Sequence, residues 1–112
     1  MLNATEKNQP ELISNQQQKP RPFLFKDKDN REIVRYFLKP ELDFWRKEYE
    51  IQPVLDPTKK IKSVDQFLNS AVACEICEDL PIPVIQKGTW RIEYRDSSFR
   101  IVCDKHVPED SK

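Results

Sequence analysis

The chain holds three cysteines and one histidine, and their spacing pairs them. Cys74 and Cys77 form a Cys-x-x-Cys motif, and Cys103 and His106 form a Cys-x-x-His motif. A tetrahedral zinc ion takes four ligands of these types, and a two-residue gap lets one tight turn present two of them. Every Cys and His in the sequence is used, with none left over. The 25 residues from Glu78 to Val102 separate the pairs. That is longer than the common spacing templates of about 12–20 residues and enough for a small β-meander. One structural Zn2+ per chain, held by Cys74, Cys77, Cys103 and His106, is the chemistry this pattern predicts.

Two other readings use the same residues. Buried cysteines often serve only as core residues. A redox Cys-x-x-Cys needs a lowered thiol pKa, usually at a helix N-terminus after a strand. Here a helix is predicted before the motif, over Val64 to Val72, and the acids Glu78 and Asp79 follow it. Those acids disfavour thiolate, which leaves a Cys-x-x-Cys redox protein as the weakest of the functional readings. An odd cysteine count does not suit a paired disulfide framework. Met1 to Gln18 is polar and lacks the apolar stretch of a secretory signal, so a reducing, cytoplasmic setting is expected.

The run Cys74-Glu-Ile-Cys77, a hairpin, then Cys103-Asp-Lys-His106 resembles the small treble-clef and zinc-ribbon group of Cys3His modules. The resemblance covers about residues 72–108 and identifies a fold group rather than a family. It implies a knuckle that supplies the first ligand pair, and a strand end or helix start that supplies the second. Glu78 stands where such knuckles often carry glycine.

The elements that must position these ligands come from a chain of 112 residues, enough for one domain. Apolar residues make up 38 %, below the roughly 45–50 % of globular domains, so a metal would supplement a small core. The single glycine, Gly88, excludes P-loop and Rossmann phosphate loops, which need several. No apolar run approaches the roughly 20 residues of a membrane span, so no membrane association is expected. Residues 1–22, rich in Asn, Gln and Pro, are read as a flexible tail, with a single domain over 23–108 and a short tail over 109–112.

Residues 23–38 predict a β-hairpin around the polar turn Lys26-Asp27-Lys28-Asp29-Asn30, with Val34, Tyr36 and Leu38 sharing one face. Asp27-x-Asp29 fails as a calcium loop, because Glu32 and Leu38 stand where glycine and glutamate are needed. Pro40 fits the first turn of a helix over Glu41 to Glu50, with Leu42, Trp45 and Tyr49 on its apolar stripe and Phe44 beside it. Pro53 and Pro57 bracket an extended linker. Ser63-Val64-Asp65-Gln66 reads as a capping box opening the 64–72 helix. Residues 82–103 read as a three-stranded antiparallel meander, with Trp90, Ile92 and Tyr94 inward and Arg91, Arg95 and Arg100 mostly outward. The expected fold class is therefore α+β: a hairpin, two short helices and a C-terminal meander stabilised by zinc.

Four protein ligands close the coordination sphere, whereas catalytic zinc keeps a position for water, so no enzymatic activity is expected. The zinc deaminase signature is also absent. Two function classes remain. One is a zinc-stabilised module that binds another protein as an accessory or adaptor, with Phe44 as a candidate contact. The alternative is a nucleic-acid-binding zinc module that would place Arg91, Arg95 and Arg100 on phosphates. The net charge of +0, and eight acids against six bases over residues 73–112, favour the protein partner.

Overall fold

Alternating aromatic residues and a tight polar turn start the fold. A computed structural model of the chain describes residues 19–66 and 71–109. Strands β1 (Arg21–Lys26) and β2 (Glu32–Phe37) form the expected antiparallel hairpin. In its turn the Asp27 carboxylate accepts the backbone N–H groups of Asp29 and Arg31, at 2.8 and 2.9 Å. Asn30 takes the left-handed conformation, φ 64°, that its short polar side chain tolerates. Arg21 and Pro22, read as the end of the tail, belong to β1. Residues 1–18 of the expected tail lie outside the described residues, as do residues 110–112.

The face of β2 that carries Val34 and Tyr36 is not the one that packs on the core. Register places Arg21 opposite Phe37, Phe23 opposite Arg35 and Phe25 opposite Ile33. The face shared with the β1 aromatics therefore carries Phe37, which is buried, while Tyr36 points to the other side and is 47 % exposed. Arg35 occupies a position on the apolar face because its guanidinium lies over the rings of Phe25, Phe37 and Trp45, at 5.1–5.6 Å from their centroids.

Helix α1 (Lys39–Trp45) carries Pro40 in its first turn as expected, and Glu41 reaches back to accept the Leu38 N–H at 2.8 Å. It ends at Trp45 rather than Glu50. Leu42 is buried, and Trp45 and Tyr49 flank the same core. The chain then returns as β3 (Glu50–Pro53), which pairs with the free edge of β1 and puts Ile51 beside Phe25. This strand gives a sheet ordered β2-β1-β3, and residues 54–56, between Pro53 and Pro57, follow it without regular secondary structure, as the linker expectation has it.

The second sheet, β4-β5-β6, is also antiparallel and is built from β4 (Ile61–Gln66), β5 (Trp90–Tyr94) and β6 (Phe99–Val102). Residues 61–66 correct the expected capping box. Val64 pairs with Ile92 and Gln66 with Trp90, so partnership with β5 overrides the local Ser-x-x-Gln signal. Residues 67–70 of the expected helix lie outside the described residues. The meander has three strands, but its third is β4. Pro81 and Pro83 have no N–H to donate to a ladder, and residues 81–87 run exposed, with a bridge between Ala73 and Lys87 at their end. The second helix is the four-residue α2 (Glu75–Glu78), inside the Cys-x-x-Cys motif. No helix among the described residues is long and apolar enough to cross a membrane.

Gly88 is required by close approach. A Cβ there would meet Ile101 Cγ2 at 2.4 Å and the Val72 carbonyl oxygen at 3.1 Å, while the Gly88 N–H donates to that same carbonyl at 2.8 Å. Gly88→Ala is expected to cost about 1–3 kcal/mol by overpacking, measured by chemical denaturation.

Candidate metal centre

The first ligand pair is set by α2. Cys74 is its N-cap, and its Sγ accepts the Cys77 N–H at 3.4 Å, which turns both sulfurs to one side. The loop that follows is tied to this turn: the Cys74 N–H donates to the Gln86 carbonyl at 2.6 Å, and the Val84 N–H donates to the Cys77 carbonyl at 3.0 Å. The second pair leaves the end of β6. His106 and Val107 N–H groups both donate to the Cys103 carbonyl, at 3.0 and 3.1 Å, closing a tight turn. The Trp90 indole N–H fixes that turn from β5 by donating to Asp104 at 2.5 Å.

All four sequence-predicted ligands converge. Their donor atoms lie within 4.8 Å of one another, with the three cysteines buried and His106 half-buried. Cys77 and Cys103 sulfurs are 3.7 Å apart. His106 Nδ1 lies 3.7, 3.5 and 3.3 Å from the sulfurs of Cys74, Cys77 and Cys103. A tetrahedral ion with bonds of about 2.3 Å to sulfur and about 2.0–2.1 Å to nitrogen sets edges of about 3.8 and 3.6 Å between such ligands. The measured edges fit that figure, and the cysteines are free thiols rather than disulfides. The donor set can therefore hold a metal ion.

The electrostatics of the site suit loading by proton displacement. Burial pushes the Cys74 and Cys77 thiols up, so without an ion they keep their protons at neutral pH. Burial, with the Lys105 charge, holds His106 below the ordinary imidazole range, in the neutral form that ligates. Metal binding at three thiolates then releases protons, and its affinity falls as pH falls.

Around α2 lies a charged lattice that sequence reasoning missed. Glu75, Glu78 and Asp79 are buried, with Glu78 at 0 % exposure. Arg21, from the first sheet, sits 2.9 Å from Asp79, 3.4 Å from Glu78 and 3.8 Å from Glu75. Arg46 donates to the Asp79 and Leu80 carbonyls and to the Ile51 carbonyl. The only sequence signal was the acidic flank of the Cys-x-x-Cys motif; its arginine stood in what read as a tail.

Arg100 is corrected. It pairs opposite Ile92, so it shares the inward face of the sheet, and it is buried against Glu75. Arg91 lies on the other face, where its guanidinium covers the Phe99 ring at 4.5 Å and contacts Glu93 at 3.2 Å. Arg95 is exposed after β5, and the predicted trio does not assemble on one face. Phe44 is 65 % exposed, edge-on to Trp45. No family model, curated protein or solved structure matches the chain, so the Cys3His cluster itself is what identifies this α+β fold as a candidate metal protein.

Proposed function

We propose that the protein is a non-catalytic, zinc-stabilised module that docks on another protein as an accessory or adaptor subunit. The observation that carries this reading is the convergence of Cys74, Cys77, Cys103 and His106 into one closed, mostly buried ligand set. Three thiolates and an imidazole favour zinc among the hard and borderline ions, and four protein ligands leave no position for a reacting water. The treble-clef or zinc-ribbon resemblance agrees with a ligand pair on a short knuckle and another at a strand end.

A docking role draws support from the loop that the knuckle holds. Ile82, Val84 and Ile85 are 82, 46 and 56 % exposed within four residues. Their backbone is fixed to Cys74 and Cys77 by the bonds from Val84 and to Gln86. Large apolar side chains displayed by a fixed segment are a recognition feature rather than a folding one. The nucleic-acid alternative loses support, because Arg100 is engaged inside the domain. Arg91, Arg95 and Phe44 remain surface candidates for contact.

The test has two readouts on one protein. Native mass spectrometry of the wild type should show one zinc per chain, lost on chelation. Ile82→Asp with Ile85→Asp should keep that zinc and the fold while abolishing co-purification of a partner that wild type retains. A metal-free folded chain overturns the zinc reading, and unchanged partner binding by the doubly substituted, zinc-loaded chain overturns docking through this loop.

A further inference from the structure

The two sheets bury separate cores with no residue in common. The chain passes between them once, through residues 54–60, which form neither strand nor helix. Ring–ring contacts among the described residues all fall within residues 23–49, on one side of the junction. The specific interactions that span the junction are hydrogen bonds and ion pairs. Arg21 meets Glu75, Glu78 and Asp79, and Arg46 donates to the Asp79 and Leu80 carbonyls. On the linker side, Arg100 donates to the Val54 carbonyl at 3.2 Å, the Tyr36 hydroxyl donates to Asp56, and the Asp56 N–H donates to the Tyr94 hydroxyl at 3.2 Å. Polar junctions of this kind join units that move relative to one another.

Helix α2 serves both the ligand cluster and the junction. Cys74 and Cys77 give it two members of the donor set, while Glu75, Glu78 and the following Asp79 face Arg21 of β1. Four residues are too few to hold a helix by backbone bonds alone, since nucleation is unfavourable and isolated helices below about 12–15 residues are marginal. The position of α2 therefore depends on what its side chains hold: the ligand cluster through its sulfurs and the arginines through its acids.

We propose that the metal site is also a latch between the two sheets. Zinc fixes α2 where its acids and carbonyls hold Arg21 and Arg46, and loss of zinc frees the sheets to move apart about residues 54–60. The proposal rests on the zinc reading above and adds a conformational role to it. Leu80, whose carbonyl Arg46 holds, leads into the 81–87 loop, so the metal also sets where that loop stands relative to the first sheet. The coupling is reciprocal by linkage: as much as zinc favours the closed junction, the closed junction favours zinc.

The experiment measures zinc affinity of the full chain by competition with a chromophoric chelator, and the tumbling of each sheet by amide NMR relaxation in the zinc-loaded state. In the wild type the two sheets should share one correlation time. Arg21→Met should weaken zinc about tenfold, within the roughly 5–150-fold range of such couplings, although Arg21 touches no ligand atom. Its two sheets should tumble separately and faster, while the amides of Phe25 and Ile92 keep their exchange protection. Arg21→Lys, a milder change whose ammonium cannot span three carboxylates, should lose less on both readouts and serves if Arg21→Met does not fold. Ile51→Val weakens the first core without touching α2, so it should leave zinc affinity and the shared correlation time unchanged. A wild type that binds no zinc removes the zinc reading and the latch with it. A wild type that binds zinc with an affinity unchanged in both Arg21 variants, or lowered as much by Ile51→Val, overturns the latch alone.

Discussion

Cys103→Ser is expected to remove the metal and open the second sheet while the first stays folded. Cys103 follows β6 directly, and its partners Cys74 and Cys77 sit on α2, so the proposed zinc joins the two ends of the segment that contains the 81–87 loop and the β5–β6 hairpin. The three cysteines are themselves members of the core of that sheet, together with Ile76, Ile92, Tyr94, Val102 and Val107. The other core, Phe23, Phe25, Phe37, Leu42 and Ile51, contains none of them. Loss of a structural metal belongs to the few single changes that exceed about 4 kcal/mol. Hydrogen exchange should show amides of Ile92 and Val102 losing protection while those of Phe25 and Leu42 retain it. If the thiols were only core residues, serine would cost about 1–3 kcal/mol for its buried hydroxyl. A chelator would then leave the wild type untouched. Chelation of the wild type must therefore reproduce the exchange pattern of the variant, and failure to do so removes zinc from the account.

The ligand set was legible because metal chemistry constrains residue type and short spacing, and both are local. Strands β1, β5 and β6 were legible for a similar reason: Phe23 and Phe25, or Ile92 and Tyr94, repeat at the two-residue period of a strand. What escaped is what depends on partners remote in sequence. Ser63-Val64-Asp65-Gln66 carries a valid local helix-start pattern, yet Val64 lies beside Ile92 in a sheet that only the fold assembles. The segment Glu50–Pro53 became a strand because β1 had an unpaired edge. In β2, the sequence pattern drew attention to Val34, Tyr36 and Leu38 on one face, whereas the register with β1 puts Phe37 on the face of Phe23 and Phe25. Charged residues misled most. Arg100 looked like a phosphate contact but neutralises Glu75. Burial of a charge is affordable only through its partner, and for Arg100 the partner lies 25 residues away.

The same dependence gives the second large effect, at Arg21. Its side chain is 13 % exposed and meets Asp79, 5 % exposed, and Glu78, fully buried, at 2.9 and 3.4 Å. It is the first residue of β1, so these ion pairs attach the N-terminal sheet to the turn that bears Cys74 and Cys77. Arg21→Met preserves much of the apolar stem and removes the charge. Glu75 keeps Arg100 after this change, whereas the buried Glu78 and Asp79 carboxylates each lose their ion pair with Arg21. Breaking a buried pair on one side costs about 3–5 kcal/mol, because the remaining charge is left uncompensated. An exposed pair would be worth only about 0.2–1 kcal/mol and would vanish in salt. Denaturation of Arg21→Met should therefore show a loss of about 3–5 kcal/mol that persists at high ionic strength. Glu78→Gln in the same chain should restore part of it, since the amide removes the stranded charge, and the double-mutant cycle should give a coupling of about 2 kcal/mol within the usual 0.5–3 for neighbours. A single-variant cost below about 1 kcal/mol would place this lattice among surface pairs. The two sheets would then be held together by the Tyr36–Asp56–Tyr94 contact and by Arg46, which bridges the Ile51 carbonyl of β3 to the carbonyls of Asp79 and Leu80.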